Sequence, residues 1–166
     1  MEIERKYLLK KIPDDFDTYT HFDIEQAYLA QKPVVRVRKR ISTDKKEFFL
    51  TVKSTGMIKR EEVETEISEE TYNTFLNESE GNIITKTRYI IPLDDVLKIE
   101  LDIFKGVFNG IVMAEVEFPN EISAEKFTLP DYFSDEVTFD KRFHNSNMST
   151  MSEAEISSLI DFAHIP

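Results

Sequence analysis

Charged and apolar residues alternate with a period of two over long stretches of this sequence, and the alternation restricts the fold more than any other feature. In the first segment, Glu2, Glu4 and Lys6 occupy even positions, whereas Ile3 and Tyr7 occupy odd positions. Successive side chains of a β-strand point to opposite faces, so this pattern predicts a strand with one charged face and one apolar face. The same pattern recurs along the chain and predicts a mainly antiparallel β fold.

The predicted elements are short strands broken by turn residues, with two clear helices. The predicted strands lie at 1–9, 25–30, 34–41, 47–54, 60–67, 83–91, 97–104, 111–118 and 136–139. The predicted helices lie at 68–78 and 153–163, with Ser68 and Ser152 as N-caps. We expect a loop with one helical turn over 12–20, short helical turns at 121–126 and 131–135, and irregular structure at 143–147.

Length and charge limit the function classes. The 166 residues suggest a single domain spanning 1–166. A net charge of −11 argues against nucleic-acid binding through the overall field, so an anionic ligand requires a local basic cluster. The sequence contains no Cys, which excludes disulfides and thiolate chemistry. We find no signal-like or membrane-spanning apolar run and expect a cytoplasmic protein without a membrane partner.

The charged faces have two possible placements. In an ordinary sandwich they are surface; in a closed barrel they point into a lumen while the apolar residues face outward under helices. The basic set is Lys6, Arg36, Arg38, Lys53, Lys86 and Arg88, with Arg40 and Arg60 as possible additions. The acidic set is Glu2, Glu4, Glu62, Glu64, Glu100, Asp102, Glu115 and Glu117. Enclosed cations need anions and enclosed carboxylates need cations, and a polyphosphate with a divalent metal satisfies both sets.

Short motifs in a fixed order resemble the CYTH superfamily, also called the triphosphate tunnel metalloenzymes. The first is Glu2-Ile3-Glu4-Arg5-Lys6, which matches a Glu-x-Glu-x-Lys signature. The others are Val-Arg-Val-Arg at 35–38, Thr-Val-Lys at 51–53, Arg60 with Glu62 and Glu64, Lys-Thr-Arg at 86–88, Glu-Leu-Asp at 100–102, Glu-Val-Glu at 115–117 and the segment 137–145. Each motif is weak alone, but the ordered set covers essentially the full chain.

The resemblance implies an α+β fold, mainly antiparallel β: an eight-stranded closed β-barrel tunnel with flanking helices. It also implies Mg²⁺ or Mn²⁺ as cofactor, with Glu2, Glu4, Glu115 and Glu117 as metal ligands, a donor set that suits Mg²⁺. By the same resemblance, the triphosphate is bound by Lys6, Arg36, Arg38, Lys53, Lys86, Arg88 and Arg142. The remaining catalytic candidates, Glu62, Glu64, Glu100 and Asp102, have three possible roles: a second metal site, orientation of a water, or pairing with the basic residues.

One late motif departs from the family pattern. Members often carry Tyr where Phe143 stands, so a phenol hydroxyl near the tunnel mouth is lost. Next to it, His144 is expected to be a surface residue rather than a catalyst. His21 and His164 have no partner signature.

The predicted function is metal-dependent hydrolysis of a small triphosphate, with inorganic triphosphate as the leading substrate. An oriented water would attack a terminal phosphorus in line, while Lys and Arg stabilise the leaving pyrophosphate. The chain has no Walker A motif and no His nucleophile motif, so we expect no covalent intermediate. The alternatives are an adenylate cyclase that makes cyclic AMP from ATP, a thiamine triphosphatase, and a non-catalytic polyphosphate- or nucleotide-binding module. We expect a monomer or a homodimer.

Overall fold

Ten antiparallel strands curl into a nearly closed barrel in the computed structural model, which describes residues 1–165. The strands are β1 (Glu2–Leu9), β2 (His21–Gln31), β3 (Val34–Ile41), β4 (Lys46–Lys53), β5 (Lys59–Arg60), β6 (Glu62–Glu66), β7 (Ile84–Pro92), β8 (Lys98–Lys105), β9 (Val112–Glu117) and β10 (Phe133–Glu136). Neighbouring strands follow the order β10-β1-β9-β8-β7-β2-β3-β4-β6, and β5 pairs with β1.

The barrel has a seam between β1 and β6. One edge of β1 pairs continuously with β9, whereas its other edge pairs first with β5, at Glu2 and Ile3, and later with β10, at Tyr7 and Leu9. The next strand along the chain, β6, pairs with β4 and not with β1. The expectation of a closed eight-stranded barrel is therefore wrong in strand number and in full closure. The predicted strand 60–67 is divided because the chain crosses from β1 to β4 at Glu61.

Within residues 1–165, four α-helices flank the barrel: α1 (Glu69–Glu78), α2 (Glu121–Glu125), α3 (Asn145–Met148) and α4 (Glu153–Ala163). The predicted N-caps are confirmed. The hydroxyl of Ser68 accepts a hydrogen bond from the Thr71 amide, and Ser152 forms a capping box with Glu155. Among the described residues, no helix is long and apolar enough to cross a membrane.

The apolar side of the strands faces outward and is covered, as the barrel interpretation predicts. Helix α1 packs its Tyr72 against Val37 and Phe48 on the outer face of β3 and β4. At one end of the barrel the lumen-facing residues are apolar too, and Leu8 and Phe104 join a core cluster with residues of α3 and α4. This cluster closes that end and leaves the charged middle of the lumen open towards the other end.

Several local predictions around the late segments are wrong. The helical turn predicted at 131–135 and the strand predicted at 136–139 are replaced by β10, because Phe133 pairs with the end of β1 and packs against Tyr7. Residues 143–147, predicted to be irregular, include most of α3. Strand β2 is also longer than predicted, since its pairing with β7 begins at His21. For β10 and β2, pairing with a distant strand determines the local structure.

Candidate functional site: a charged tunnel

A cavity of about 290 Å³ occupies the charged lumen of the barrel. The strand register explains why charges gather there: cross-strand partners share a face, and the even positions of β1 and β3 both point inward. The sequence-predicted residues that line the cavity are Glu2, Glu4, Lys6, Arg36, Arg38, Lys53, Glu62, Glu64, Lys86, Arg88, Glu100, Glu115 and Glu117. The possible additions Arg40 and Arg60 also line it.

Two predicted site residues do not line the cavity. Asp102 is fully buried behind its wall. Arg142 lies on the surface, where its guanidinium forms an ion pair with Asp140 and stacks near the ring of Phe162. Its predicted contact with a terminal phosphate therefore has no support from its position.

Asp102 organises a group of buried charges that we call the paired cluster: Lys86, Arg88, Glu100, Asp102 and Glu115. Its carboxylate accepts hydrogen bonds from Lys86 Nζ at 2.7 Å and, in two-pronged geometry, from Arg88 Nε at 2.7 Å and Nη2 at 2.8 Å. Arg88 also contacts Glu100 and, at 3.4 Å, Glu115. The cations of this cluster are thus held by carboxylates of the protein itself.

The pKa values in the paired cluster follow from this geometry. Burial works against the charge of Arg88, but Asp102 and Glu100 outweigh it and hold the pKa of Arg88 well above its usual value. Burial likewise opposes ionisation of Asp102, yet Arg88 and Lys86 lower the pKa of that carboxyl. For Lys86 burial prevails and lowers the pKa of its ammonium, despite Asp102. Asp102 and Arg88 therefore stay charged at neutral pH.

The seam side of the tunnel contains a second set of ion pairs. Lys53 Nζ lies 2.9 Å from Glu2, and Arg60 Nη2 lies 2.9 Å from Glu4. Because Arg60 comes from β5, the ion pair helps to hold that short strand against β1. Nearby, Lys6 Nζ lies 3.2 Å from Glu115 and donates to the carbonyl oxygen of Phe143 at 2.9 Å.

Arg36 and Arg38 differ from all these cations, and we call them the open arginines. Among residues 1–165 neither has a carboxylate within ion-pair distance, although Arg36 is buried and its Nε has no hydrogen-bond partner. Arg38 donates from Nε to the amide oxygen of Gln26 at 2.8 Å. Burial, Arg36 and Arg88 lower the pKa of Arg38 to about 9, so it stays charged at neutral pH. Buried or half-buried cations that lack a carboxylate partner in a cavity are suited to bind an anion.

Carboxylates gather on the opposite wall of the lumen. Glu4 lies directly across the β1–β9 pair from Glu117, and Glu100 lies across the β8–β9 pair from Glu115. Burial and the neighbouring charges of Glu2, Glu100 and Glu4 raise the pKa of Glu117. Within the described chain no three Asp, Glu or His side chains already converge as a metal site. This donor set matches Mg²⁺, which uses one or two carboxylates with water and phosphate oxygens to complete its shell.

The structure also places in the site several residues that the sequence analysis missed. Tyr28, His144, Asn145 and Ser146 line the cavity, and Gln26 is buried next to it. The sequence contains one indication: residues 26 and 28 lie on the same strand face. Gln26 was missed because its neighbours on that face are apolar, as in a strand that faces the core. The residues 144–146 enter from α3 and the turn before it, which no strand periodicity reveals.

His144 is not the surface residue that we expected, because its half-buried ring lines the tunnel. Its Nε2 lies 3.0 Å from the carbonyl oxygen of Thr138. A carbonyl only accepts, so Nε2 carries the proton and Nδ1 keeps a lone pair. Burial, together with Lys6 and Arg60, lowers the pKa of His144 below its usual 6.5. Phe143 is fully buried in the core cluster at the closed end, so this position supplies no polar atom from its side chain.

Comparisons with known proteins agree on one family. The chain is 35% identical over 148 residues to an inorganic triphosphatase of Nitrosomonas europaea, an alignment that covers 89% of this chain and 96% of that protein. It is 35% identical over 153 residues to an inorganic triphosphatase of Acetivibrio thermocellus, covering 89% and 92%. The crystal structure of the inorganic triphosphatase NE1496 superposes with a TM-score of 0.67 at 32% identity, covering 92% of this chain and 96% of that one. No protein-family model matches the sequence.

Proposed function

The chain belongs to the family of the inorganic triphosphatases, and we propose that it hydrolyses inorganic triphosphate to pyrophosphate and phosphate inside its tunnel. The finer assignment to the CYTH superfamily is part of the same proposal. It is supported by the ordered motifs of the sequence and by the way the strand register brings their charged residues to one lumen.

The open arginines carry the proposal. An inorganic triphosphate has negative oxygens along its whole length, and guanidinium groups bind such oxygens with paired hydrogen bonds. Within the described residues, Arg36 and Arg38 line the lumen without a carboxylate at ion-pair distance. Lys53 on β4, next to β3, and Lys6 on β1, across the seam, extend the basic surface along the cavity. The whole chain is acidic, so this local concentration of positive charge selects where an anion binds.

We assign the metal-ligand role to Glu2, Glu4, Glu115 and Glu117, with Mg²⁺ or Mn²⁺ as the ion. When bound, such an ion neutralises phosphate charge and aligns the phosphate oxygens for displacement. In the free protein Glu2 and Glu4 are held by Lys53 and Arg60. Those two cations would exchange carboxylate for phosphate as the substrate enters, which keeps every buried charge compensated.

The chemistry requires little beyond positioning and charge. The open arginines and Lys6 hold the triphosphate along the lumen, and the pyrophosphate that leaves stays bound to these cations as its charge develops. A carboxylate of the wall orients the attacking water and accepts its proton. Glu100 is suited to this step, because burial and the neighbouring Glu115 raise the pKa of its carboxyl, although Arg88 opposes the shift.

A hydrolysis screen tests the proposal. Purified protein is incubated with Mg²⁺ or Mn²⁺ and with inorganic triphosphate, ATP or thiamine triphosphate, and phosphate, pyrophosphate and cyclic AMP are measured. We expect phosphate release from inorganic triphosphate to be fastest. Cyclic AMP from ATP would replace the proposal by a cyclase, faster turnover of thiamine triphosphate would replace it by a thiamine triphosphatase, and binding without turnover would leave a non-catalytic module.

A further inference from the structure

Gln26 is fully buried beside the tunnel, and both ends of its amide are hydrogen-bonded. Its oxygen accepts from Arg38 Nε at 2.8 Å. Its nitrogen donates to the hydroxyl of Tyr28 at 2.8 Å and to the side-chain oxygen of Asn145 at 3.2 Å. The same Asn145 oxygen accepts from Lys86 Nζ at 3.0 Å. A hydrogen-bonded chain therefore runs from one cation of the lumen to another through two neutral amides.

The orientation of both amides follows from their partners. A guanidinium group is a donor only, so Arg38 requires the amide oxygen of Gln26 towards it. With its oxygen on Arg38, Gln26 must present its nitrogen to Tyr28 and Asn145. Asn145 must in turn present its oxygen to both Gln26 and Lys86. Arg38 thus fixes the orientation of the Gln26 amide, and the Gln26 nitrogen fixes that of the Asn145 amide.

The contrast with Arg88 shows what the amides do. Arg88 is held by carboxylates, which fix its position and also offset its charge. Arg38 is held by a neutral group, which fixes its position and leaves its charge for a ligand. We propose that Gln26 and Asn145 form an amide bridge that positions Arg38 for triphosphate without neutralising it. Both are positioning residues, and the inference rests on the proposed function of the tunnel.

The amide bridge also connects two distant parts of the chain. Gln26 belongs to β2, whereas Asn145 begins α3 at the closed end of the barrel. The bridge therefore links the geometry of the phosphate-binding cations to the packing of the C-terminal segment. It also directs Tyr28: because its hydroxyl oxygen accepts from Gln26, the hydroxyl hydrogen remains available to a phosphate oxygen in the cavity.

Two substitutions separate charge from hydrogen bonding. Gln26→Glu keeps the size but places a carboxylate on Arg38, so it offsets the charge that the bridge preserves. Gln26→Met keeps the side-chain length and leaves Arg38 charged, but it removes the hydrogen bond that positions the guanidinium. Binding of inorganic triphosphate is measured by calorimetry without divalent cations, and hydrolysis is measured with Mg²⁺. Gln31→Glu is the matched control, because Gln31 lies on the same strand outside the cavity, where its amide donates one long hydrogen bond, of 3.4 Å, to the hydroxyl of Ser149.

We expect Gln26→Glu to raise the Kd for triphosphate about tenfold or more. Gln26→Met should raise the Kd less, about threefold, and lower kcat about tenfold because Arg38 is no longer aligned. Gln31→Glu should behave as the wild type. A merely structural role for Gln26 predicts the opposite order, since Met removes every hydrogen bond of the amide and Glu retains an acceptor.

Wild-type Kd and kcat/KM in Gln26→Glu would overturn the inference, as would a larger loss of binding in Gln26→Met than in Gln26→Glu. If Gln26→Glu does not fold, wild-type kinetics in Gln26→Met would overturn it. Failure of the proposed function is seen separately in the wild-type protein. A wild type that binds triphosphate but does not hydrolyse it loses the proposed activity, and the calorimetry of the variants still decides whether the bridge exists.

Discussion

The two sides of the tunnel differ in whether their cations have carboxylate partners. On the side of β7 and β8, the paired cluster encloses Arg88 and Lys86 with Asp102, Glu100 and Glu115. On the side of β3, the open arginines have no carboxylate partner within the described residues, and Arg38 is guided by an amide. Both sides come from the same alternating sequence pattern, and both place cations in one cavity.

We infer that the ion pairs around Asp102 stabilise the fold, whereas the open arginines bind the ligand. A buried ion pair that is complete at rest contributes to the folded state and has little charge left for a ligand. A buried cation without a counter-charge costs stability in the free protein, and that cost is relieved when an anion binds. Substitution of Asp102, which lies behind the cavity wall, should therefore mainly change stability, and substitutions of the open arginines should mainly change activity.

The largest effect is expected from Asp102→Asn. The change keeps the volume but leaves Lys86 and Arg88 without their shared carboxylate, so the free energy of unfolding should fall by about 3–5 kcal/mol. Urea denaturation measures it. The matched control is Asp140→Asn, which removes a surface ion pair with Arg142 and should cost about 0–1 kcal/mol. Equal effects of the two substitutions would contradict the scaffold role of Asp102.

Arg38→Ala tests the other side. We expect the turnover number to fall about a hundredfold, because a group that stabilises developing phosphate charge contributes about 3 kcal/mol. The Tm should stay level or rise slightly, since the variant relieves repulsion from Arg36 and Arg88. Steady-state kinetics and a melting curve measure both quantities. An unchanged turnover number, or activity lost through unfolding, would contradict the role of Arg38.

Glu117→Gln tests the carboxylate wall. A raised pKa means that the folded state disfavours ionised Glu117, so the wild type loses stability as the pH rises from about 4.5 through that raised pKa. At pH 7 without metal, the variant should therefore melt at a slightly higher temperature. Added Mg²⁺ should raise the Tm of the wild type more than that of the variant. The same Mg²⁺ response in both proteins would remove Glu117 from the proposed ligands.

The smallest effect is expected from His144→Asn. Because the pKa of His144 is lowered on folding, the unfolded chain binds its proton more readily, and stability falls as the pH drops below about 6.5 through the lowered value. The variant should lose less stability over this pH range, as measured by urea denaturation at several pH values. Parallel pH profiles for the two proteins would show that His144 does not titrate in this window.

The alternation of residues made much of the tunnel predictable from sequence. A period of two determines which side chains share a face, so the grouping of Glu2 with Lys6, and of Arg36 with Arg38, followed without knowledge of the barrel. The helix caps Ser68 and Ser152 were predictable for an equally local reason.

The features that the sequence did not predict depend on contacts between distant segments. The seam exists because β5 pairs with β1 and β6 pairs with β4. No sequence feature at Glu61 indicates that the pairing strand changes there. The amide bridge is equally hidden. A Gln among apolar residues reads as core, and Asn145 lies over a hundred positions further along the chain. Which cations are open is likewise set by the register of the neighbouring strands.

The central claim is that the open arginines bind triphosphate. A crystal structure of the protein with inorganic triphosphate tests it most directly, grown without the divalent cations on which we propose that turnover depends. We predict one triphosphate in the cavity, with its oxygens within hydrogen-bonding distance of Arg36 and Arg38 and with the Asp102 ion pairs unchanged. A triphosphate bound outside the tunnel, or bound in it without contact to either arginine, would contradict the account.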